Sequence, residues 1–271
     1  MAKHSLLRYH LRTVQLPFGR TILRNQTFID PENLDIFAKN AERLTAGLGA
    51  PAEALKLLGD VGWFHSFVLS DGTCVRGGKT PAILQAEFES VFGPLPIEGA
   101  TVLDVGAWNG AFSFEAKRRG AKRVLATDLF TWTHPILRGL ERFLFVRKDT
   151  GLEIDYEVID VPRINTVSVG VFDVVLFLGV FYHLSDPLAA IASLAQISRS
   201  WLVLETHLDL DEVPHPAMRY YPSTELANDP TNWWGPNQQC VEGLLKNAGF
   251  SYVGFVRNPM NSARGIFHAR K

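Results

Sequence analysis

Thr101-Val102-Leu103-Asp104-Val105-Gly106-Ala107-Trp108-Asn109-Gly110 reads as a buried strand that runs into a glycine turn and opens a helix. The same grammar repeats downstream. Arg123 to Asp128 reads as a second strand, roughly 154–159 as a third, Phe172 to Leu178 as a fourth and Trp201 to Glu205 as a fifth. Phe172-Asp173-Val174-Val175-Leu176-Phe177-Leu178 is apolar on both faces. Continuous apolar strands belong in parallel sheets covered on both sides. The connections read as helices. Ser185-Asp186-Pro187 is a start signal, because Asp or Ser can cap and Pro suits the first helical position. Leu188, Ile191, Ala192 and Ala195 then fall on one face, and Val241, Leu244, Leu245 and Ala248 repeat that spacing before Gly249 closes the helix. Two last strands fall near 251–257 and 265–270. The alternation predicts an α/β fold, a Rossmann-like, doubly wound, mostly parallel seven-stranded sheet.

N-terminal to this lies a helical extension, residues 1–60, ahead of a domain over 61–271. Residues 31–58 read as helical from Pro31-Glu32 to the cluster Leu55, Leu57 and Leu58. Residues 1–29 carry Lys3, Arg8, Arg12, Arg20 and Arg24 and no acidic residue. This stretch is either a phosphate-contacting arm or a solvated extension.

Composition narrows the class. Across 271 residues, 27 Lys plus Arg face 28 Asp plus Glu, for a net charge of −1. That balance argues against a broad nucleic-acid surface, though not against a local basic patch. No run of about 18 apolar residues exists, which excludes a membrane span, and the N-terminus lacks the apolar core of a secretion signal. Two cysteines, Cys74 and Cys240, cannot build a disulfide scaffold or a cysteine zinc site, and both read as structural. The expected compartment is the cytoplasm, with no metal.

The chemistry gathers at carboxyl-side strand ends. At Gly106 and Gly110 a ligand can approach the backbone and meet free N–H groups at the helix start. Asp128 ends the second strand 24 positions after Asp104, where a carboxylate suits two ribose hydroxyls. Asp160 follows the third strand. The spacing is not the dinucleotide glycine pattern, and no Gly-Lys-Ser/Thr offers a triphosphate site.

Taken with Trp63-Phe64-His65-Ser66, Asp71-Gly72-Thr73, Leu178-Gly179-Val180-Phe181-Tyr182-His183-Leu184, Leu204-Glu205-Thr206, the stretch 221–237 and Arg264, these segments resemble the class I S-adenosylmethionine (SAM) methyltransferases. More closely, they resemble the branch of bacterial tRNA wobble-uridine methyl- and carboxymethyltransferases. The resemblance covers about 60–271 and implies SAM as cofactor. It gives Asp104, Gly106 and Gly110 the glycine-motif role, Asp128 the ribose and Asp160 the adenine edge. It places Tyr182 and Arg264 where carboxymethyl-donor enzymes hold the extra carboxylate, and it matches Lys79 to a cofactor-contacting lysine. One departure matters: His65 stands where those enzymes carry Lys. Imidazole is mostly neutral near its ordinary pKa of about 6.5, so plain SAM is the expected donor.

Methyl transfer to a hydroxyl or ammonium needs a base. His183, at the fourth strand's end, is the first candidate and His207, after the fifth, the second; each could instead be a structural histidine. Tyr182 could orient the methionine portion or set its ring against the sulfonium. Asn232, Trp233, Trp234 and Tyr221 are candidate walls of the acceptor pocket, or a plug holding the loop to the sheet. Three outcomes follow. The first is methylation of a small-molecule O or N, the second tRNA wobble-uridine modification. The third is intramolecular cyclisation of SAM with release of methylthioadenosine.

Overall fold

The computed structural model describes residues 29–271. The basic stretch from Lys3 to Arg24 lies outside them. The helical reading of 31–58 divides in two. A 3-10 turn at Pro31–Asn33 leads into α1 (Leu34–Ala46), and α2 (Pro51–Leu58) follows a break. Gly47 ends the first helix and Pro51 starts the second, as their chain-breaking and helix-starting characters dictate. A small ribbon, β1 (Phe67–Val68) with β2 (Cys74–Val75), precedes α3 (Pro81–Phe92). Thr80 caps α3 by accepting from the Ile83 N–H.

The repeating unit then begins. β3 (Thr101–Val105), α4 (Ala111–Arg118), β4 (Arg123–Asp128), the short α5 (Phe130–Thr133), α6 (Gly139–Thr150), β5 (Asp155–Val158), β6 (Phe172–Leu178), α7 (Pro187–Ile197) and β7 (Ser198–His207) follow in order. β8 (Met218–Tyr220) and β9 (Trp234–Pro236) pair as an antiparallel ribbon within the stretch read from sequence as a loop. α8 (Gln238–Asn247), β10 (Tyr252–Arg257) and β11 (Arg264–Arg270) complete the chain. Asp186 and Asn237 cap α7 and α8, accepting from Ala189 and Cys240 N–H at 2.9 Å each.

The seven-stranded sheet runs β10-β11-β7-β6-β3-β4-β5. β5, β4, β3, β6 and β7 are mutually parallel, and β11 enters antiparallel against β7 and β10. Alternate residues of one strand feed opposite cores. Val102 and Val174 pack toward α3, α4 and α6, whereas Leu103 and Val175 pack toward α7 and α8. Each such side chain, fully buried, contributes about 1.5–3 kcal/mol. α1 and α2 share the first core through Ala41, Leu48, Ala54 and Leu58. Strand order reverses between β3 and β6, and such a reversal opens a crevice outside the strands' carboxyl ends. Among the described residues no helix is long and apolar enough to cross a membrane, and no cluster of His, Cys, Asp or Glu could hold a metal ion.

Candidate functional site

Four parallel strands deliver their carboxyl ends to one cavity of about 330 Å³. β3 supplies Gly106, β4 supplies Asp128, β5 leads to Asp160 and β6 leads to Gly179. The cavity sits at the strand-order reversal and has the size of a small-molecule site. Gly106 has φ +78, and a Cβ there would stand 2.3 Å from Val180 Cγ2. Only glycine lets the two strand ends approach across the reversal.

Asp128 is buried and already bonded. Oδ2 accepts from the Trp108 N–H at 3.1 Å and from Thr131 Oγ1 at 2.8 Å, and Oδ1 accepts from the Thr131 N–H at 2.9 Å. A carboxylate offers about four lone-pair sites. The chain's own donors around the turn thus hold both carboxylate oxygens in place at the cavity wall. Burial raises the Asp128 pKa against the pull of those donors. Asp160 stands at the rim, its pKa also raised by burial.

Two residues of the glycine turn serve from behind the wall. Asp104 does not line the cavity. It accepts from Ser113 Oγ at 2.6 Å, and burial, opposed by that bond and assisted by the Asp128 charge, pushes its pKa up to about 6. Gly110 starts α4 with φ +83, and a Cβ there would meet the rings of Phe143 and Phe114 within 3 Å. Its requirement is close packing of helices. Trp108, unremarked in the sequence, is a wall residue. Its indole stacks on Phe64 at 4.4 Å and donates to Gly62 O at 3.2 Å.

His183 lines the cavity, with Nδ1 3.0 Å from Thr231 O. A carbonyl only accepts, so Nδ1 carries the hydrogen and Nε2 is the basic nitrogen. Burial lowers its pKa, keeping the ring neutral at pH 7.

Behind Gly179 lies a set of paired charges. Arg264 donates through Nη2 to Glu205 Oε2 at 2.7 Å and through Nε to Oε1, and Nη2 stands 3.2 Å from the Tyr182 hydroxyl. The guanidinium lies 4.9 Å from the Tyr182 ring centroid. Burial opposes the Arg264 charge, but Glu205 raises its pKa overall. The Tyr182 ring thus lies against a cation of this chain. Lys79 pairs with Glu87 at 2.6 Å, and Glu87 also accepts from Asn258 Nδ2 at 3.1 Å. His65 is buried beside Phe64 and Phe112, and burial, then the Lys79 charge, holds its pKa well below the ordinary value.

Other sequence candidates stand away from the cavity lining. His207 packs against Tyr221, whose hydroxyl donates to Asp209. Trp233 and Trp234 donate their indole N–H to Pro230 O at 3.0 Å and Leu184 O at 2.8 Å, and Asn232 Nδ2 donates to Leu226 O at 3.1 Å. The Trp233 and Asn232 bonds brace the 208–237 excursion internally, and the Trp234 bond ties it to the segment after β6. That excursion instead presents Asp229 and Thr231 to the cavity. The sequence signal for them was the Asp229-Pro230-Thr231 turn beside the tryptophans. Among the described residues, no Lys or Arg lines the cavity, while three Asp do.

Comparison with known proteins bears on this geometry. The family model described as "Methyltransferase domain" matches residues 80–254. The tRNA U34 carboxymethyltransferase of Pseudomonas fluorescens strain Pf-5 is 30% identical over 167 residues, 60% of this chain and 49% of that protein. The protein of the same name from Actinobacillus succinogenes is 32% identical over 166 residues, 59% of this chain and 48% of its own. The chain thus spans about half the length of the curated relatives it matches. Among solved structures, the N-terminal domain of EvdMO1 in the presence of SAH and D-fucose aligns with a TM-score of 0.55. Identity is 20%, over 89% of this chain and 96% of that one. An S-adenosylmethionine dependent methyltransferase from Mesorhizobium loti aligns at 0.51 and 18% identity, over 69% and 100%. Those two likenesses show the fold.

Proposed function

We propose that this chain, which belongs to the methyltransferase-domain family, binds SAM in the cavity at the strand-order reversal and methylates an O or N of a small-molecule acceptor. The observation that carries this reading is the charge of the lining. Among the described residues three Asp and no Lys or Arg face the cavity, which suits a cationic nucleoside and disfavours a phosphate. The residues fit such a ligand. Asp128 presents a buried carboxylate to a ribose hydroxyl, Asp160 stands at the rim for the adenine edge, and the Gly106 backbone leaves space where a side chain would collide. Bound SAM would supply an electrophilic methyl group. The chain's part is to orient the acceptor, exclude water and receive a proton at His183 Nε2.

The plain donor is favoured over a carboxylated one. Arg264 and Lys79 each already hold a carboxylate of this chain, and His65 is neutral. Nothing in this arrangement favours the intramolecular cyclisation. The names of the relatives support tRNA as a second reading. The acidic lining weighs against it at the cavity itself.

Calorimetry with SAM tests the cofactor site. Asp128→Ala removes a charge-assisted bond and should weaken binding by about 1.5–3 kcal/mol. Unchanged affinity in a folded variant refutes the assignment. Nanomolar tRNA binding at physiological salt, with a steep salt slope, would favour the second reading.

A further inference from the structure

We propose that Asp229 and Thr231 are positioning residues that fix His183 as the proton acceptor of the cavity. This deepens the methyltransferase reading and rests on it. The three residues all line the cavity but come from two places. His183 ends the 3-10 turn Phe181–His183 beyond β6, and Asp229 and Thr231 belong to the 208–237 excursion. The two pieces are joined by the backbone, the Trp233 N–H donating to Tyr182 O at 2.8 Å.

The polar atoms form a directed chain. His183 Nδ1 lies 3.0 Å from Thr231 O and 3.1 Å from Thr231 Oγ1. Thr231 Oγ1 donates to Asp229 Oδ1 at 2.7 Å, and the Thr231 N–H donates to the same oxygen at 2.8 Å. The threonine hydroxyl has one hydrogen, and Asp229 takes it. Toward His183 the hydroxyl can therefore only accept. Both Thr231 oxygens thus select the Nδ1–H tautomer, which leaves the basic lone pair on Nε2. Asp229 adds a negative charge one hydroxyl away, which favours the imidazolium once a proton arrives. Arg264 opposes it, and the Tyr182 ring lies tilted against the imidazole at 4.3 Å. A histidine that merely packed would need neither the hydroxyl chain nor the carboxylate.

A neutral base on Nε2 serves an acceptor that must lose a proton, a hydroxyl or an ammonium. A thiol with an ordinary pKa of about 8.5 is partly ionised near neutral pH and needs a base least. A hydroxyl must lose its proton as its oxygen attacks. In the balanced step the acceptor oxygen forms the new C–O bond, its proton passes to His183 Nε2, and the C–S electron pair stays on sulfur. The positive charge moves from sulfonium to imidazolium.

The test uses the full chain labelled with ¹⁵N, saturated with S-adenosylhomocysteine, with His183→Ala to assign the ring signals. Long-range ¹H–¹⁵N spectra across pH give the tautomer and pKa of His183. The Nδ1–H form is expected in the wild type. Asp229→Asn should lower the His183 pKa by about one unit. Thr231→Val should lower it in the same direction, and Thr231→Ser should restore the wild-type value. The proposal is overturned if His183 is the Nε2–H tautomer, or if its pKa moves in neither Asp229→Asn nor Thr231→Val. If one variant is unfolded, the pKa shift in the other decides, together with the tautomer of the wild type. Calorimetry of the wild type with S-adenosylhomocysteine is the separate control. Absence of binding there refutes the cofactor reading, while the ring's tautomer and pKa still decide the positioning role.

Discussion

Glu205→Gln should change which donor this protein accepts. Glu205 is buried and holds both Arg264 nitrogens that face it. The substitution keeps an oxygen acceptor and removes the charge, leaving Arg264 as an unmatched buried cation beside Gly179. Breaking a buried pair in this way costs about 3–5 kcal/mol, a large share of the roughly 5–15 kcal/mol that stabilises an ordinary domain. Urea unfolding should register that loss. The same unmatched cation becomes a receptor. A donor carboxylate about 4 Å from it would gain at most about 4 kcal/mol at an effective dielectric of 20, before its own desolvation. A net gain of about 1.4–2.8 kcal/mol is expected, which is a 10- to 100-fold preference. Titration calorimetry with SAM and with carboxy-SAM, on wild type and variant, checks it. The wild type should show no preference for the carboxylated donor, and Glu205→Gln should acquire one. Tighter binding of carboxy-SAM by the wild type, or an unchanged ratio in a folded variant, would refute the reasoning.

Asp104→Asn should stabilise the protein in a pH-dependent way. Its folded pKa, about 6 against an ordinary 3.8, means the folded state binds more protons between those values, so its contribution to stability falls as pH rises through that window. Relief of up to about 3 kcal/mol is expected at pH 7 and none below about pH 4, and urea unfolding at both pH values measures it. Tyr182→Phe loses the 3.2 Å contact with Arg264 but keeps the ring under the guanidinium, so a cost of about 1 kcal/mol is expected. Tyr182→Ala loses both, and about 3 kcal/mol should appear in the same assay. Arg142, fully buried, donates to the carbonyls of Leu58, Val61 and Leu137 and pins the segment before Trp63. Arg142→Met should cost about 3 kcal/mol and open 58–62 to limited proteolysis, with weakened SAM binding through Trp108.

The strands and the main helices were legible because their signals are local. Thr101–Val105 reads as buried and Phe172–Leu178 as apolar on both faces, and both predicted strands coincide with observed ones. Asp186-Pro187 caps a helix as its chemistry requires, and Gly249 follows α8 with φ +99. Asp128 and Asp160 could be placed at the cavity because strand ends in a parallel sheet converge by rule.

Pairing across long sequence separations could not be read the same way. Glu205 and Arg264 lie on neighbouring antiparallel strands and neutralise each other, 59 residues apart. Lys79 finds Glu87, and the indole N–H groups of the excursion find backbone carbonyls. Thr231 reaches His183 across 48 residues, bringing Asp229 with it, only because the excursion folds back onto the turn that follows β6. Residue type tells which groups can titrate or donate. Which partner each one meets depends on strand order and loop path, so the sequence by itself determined the scaffold and its strand-end carboxylates, while the tertiary structure decided which charges were already spoken for.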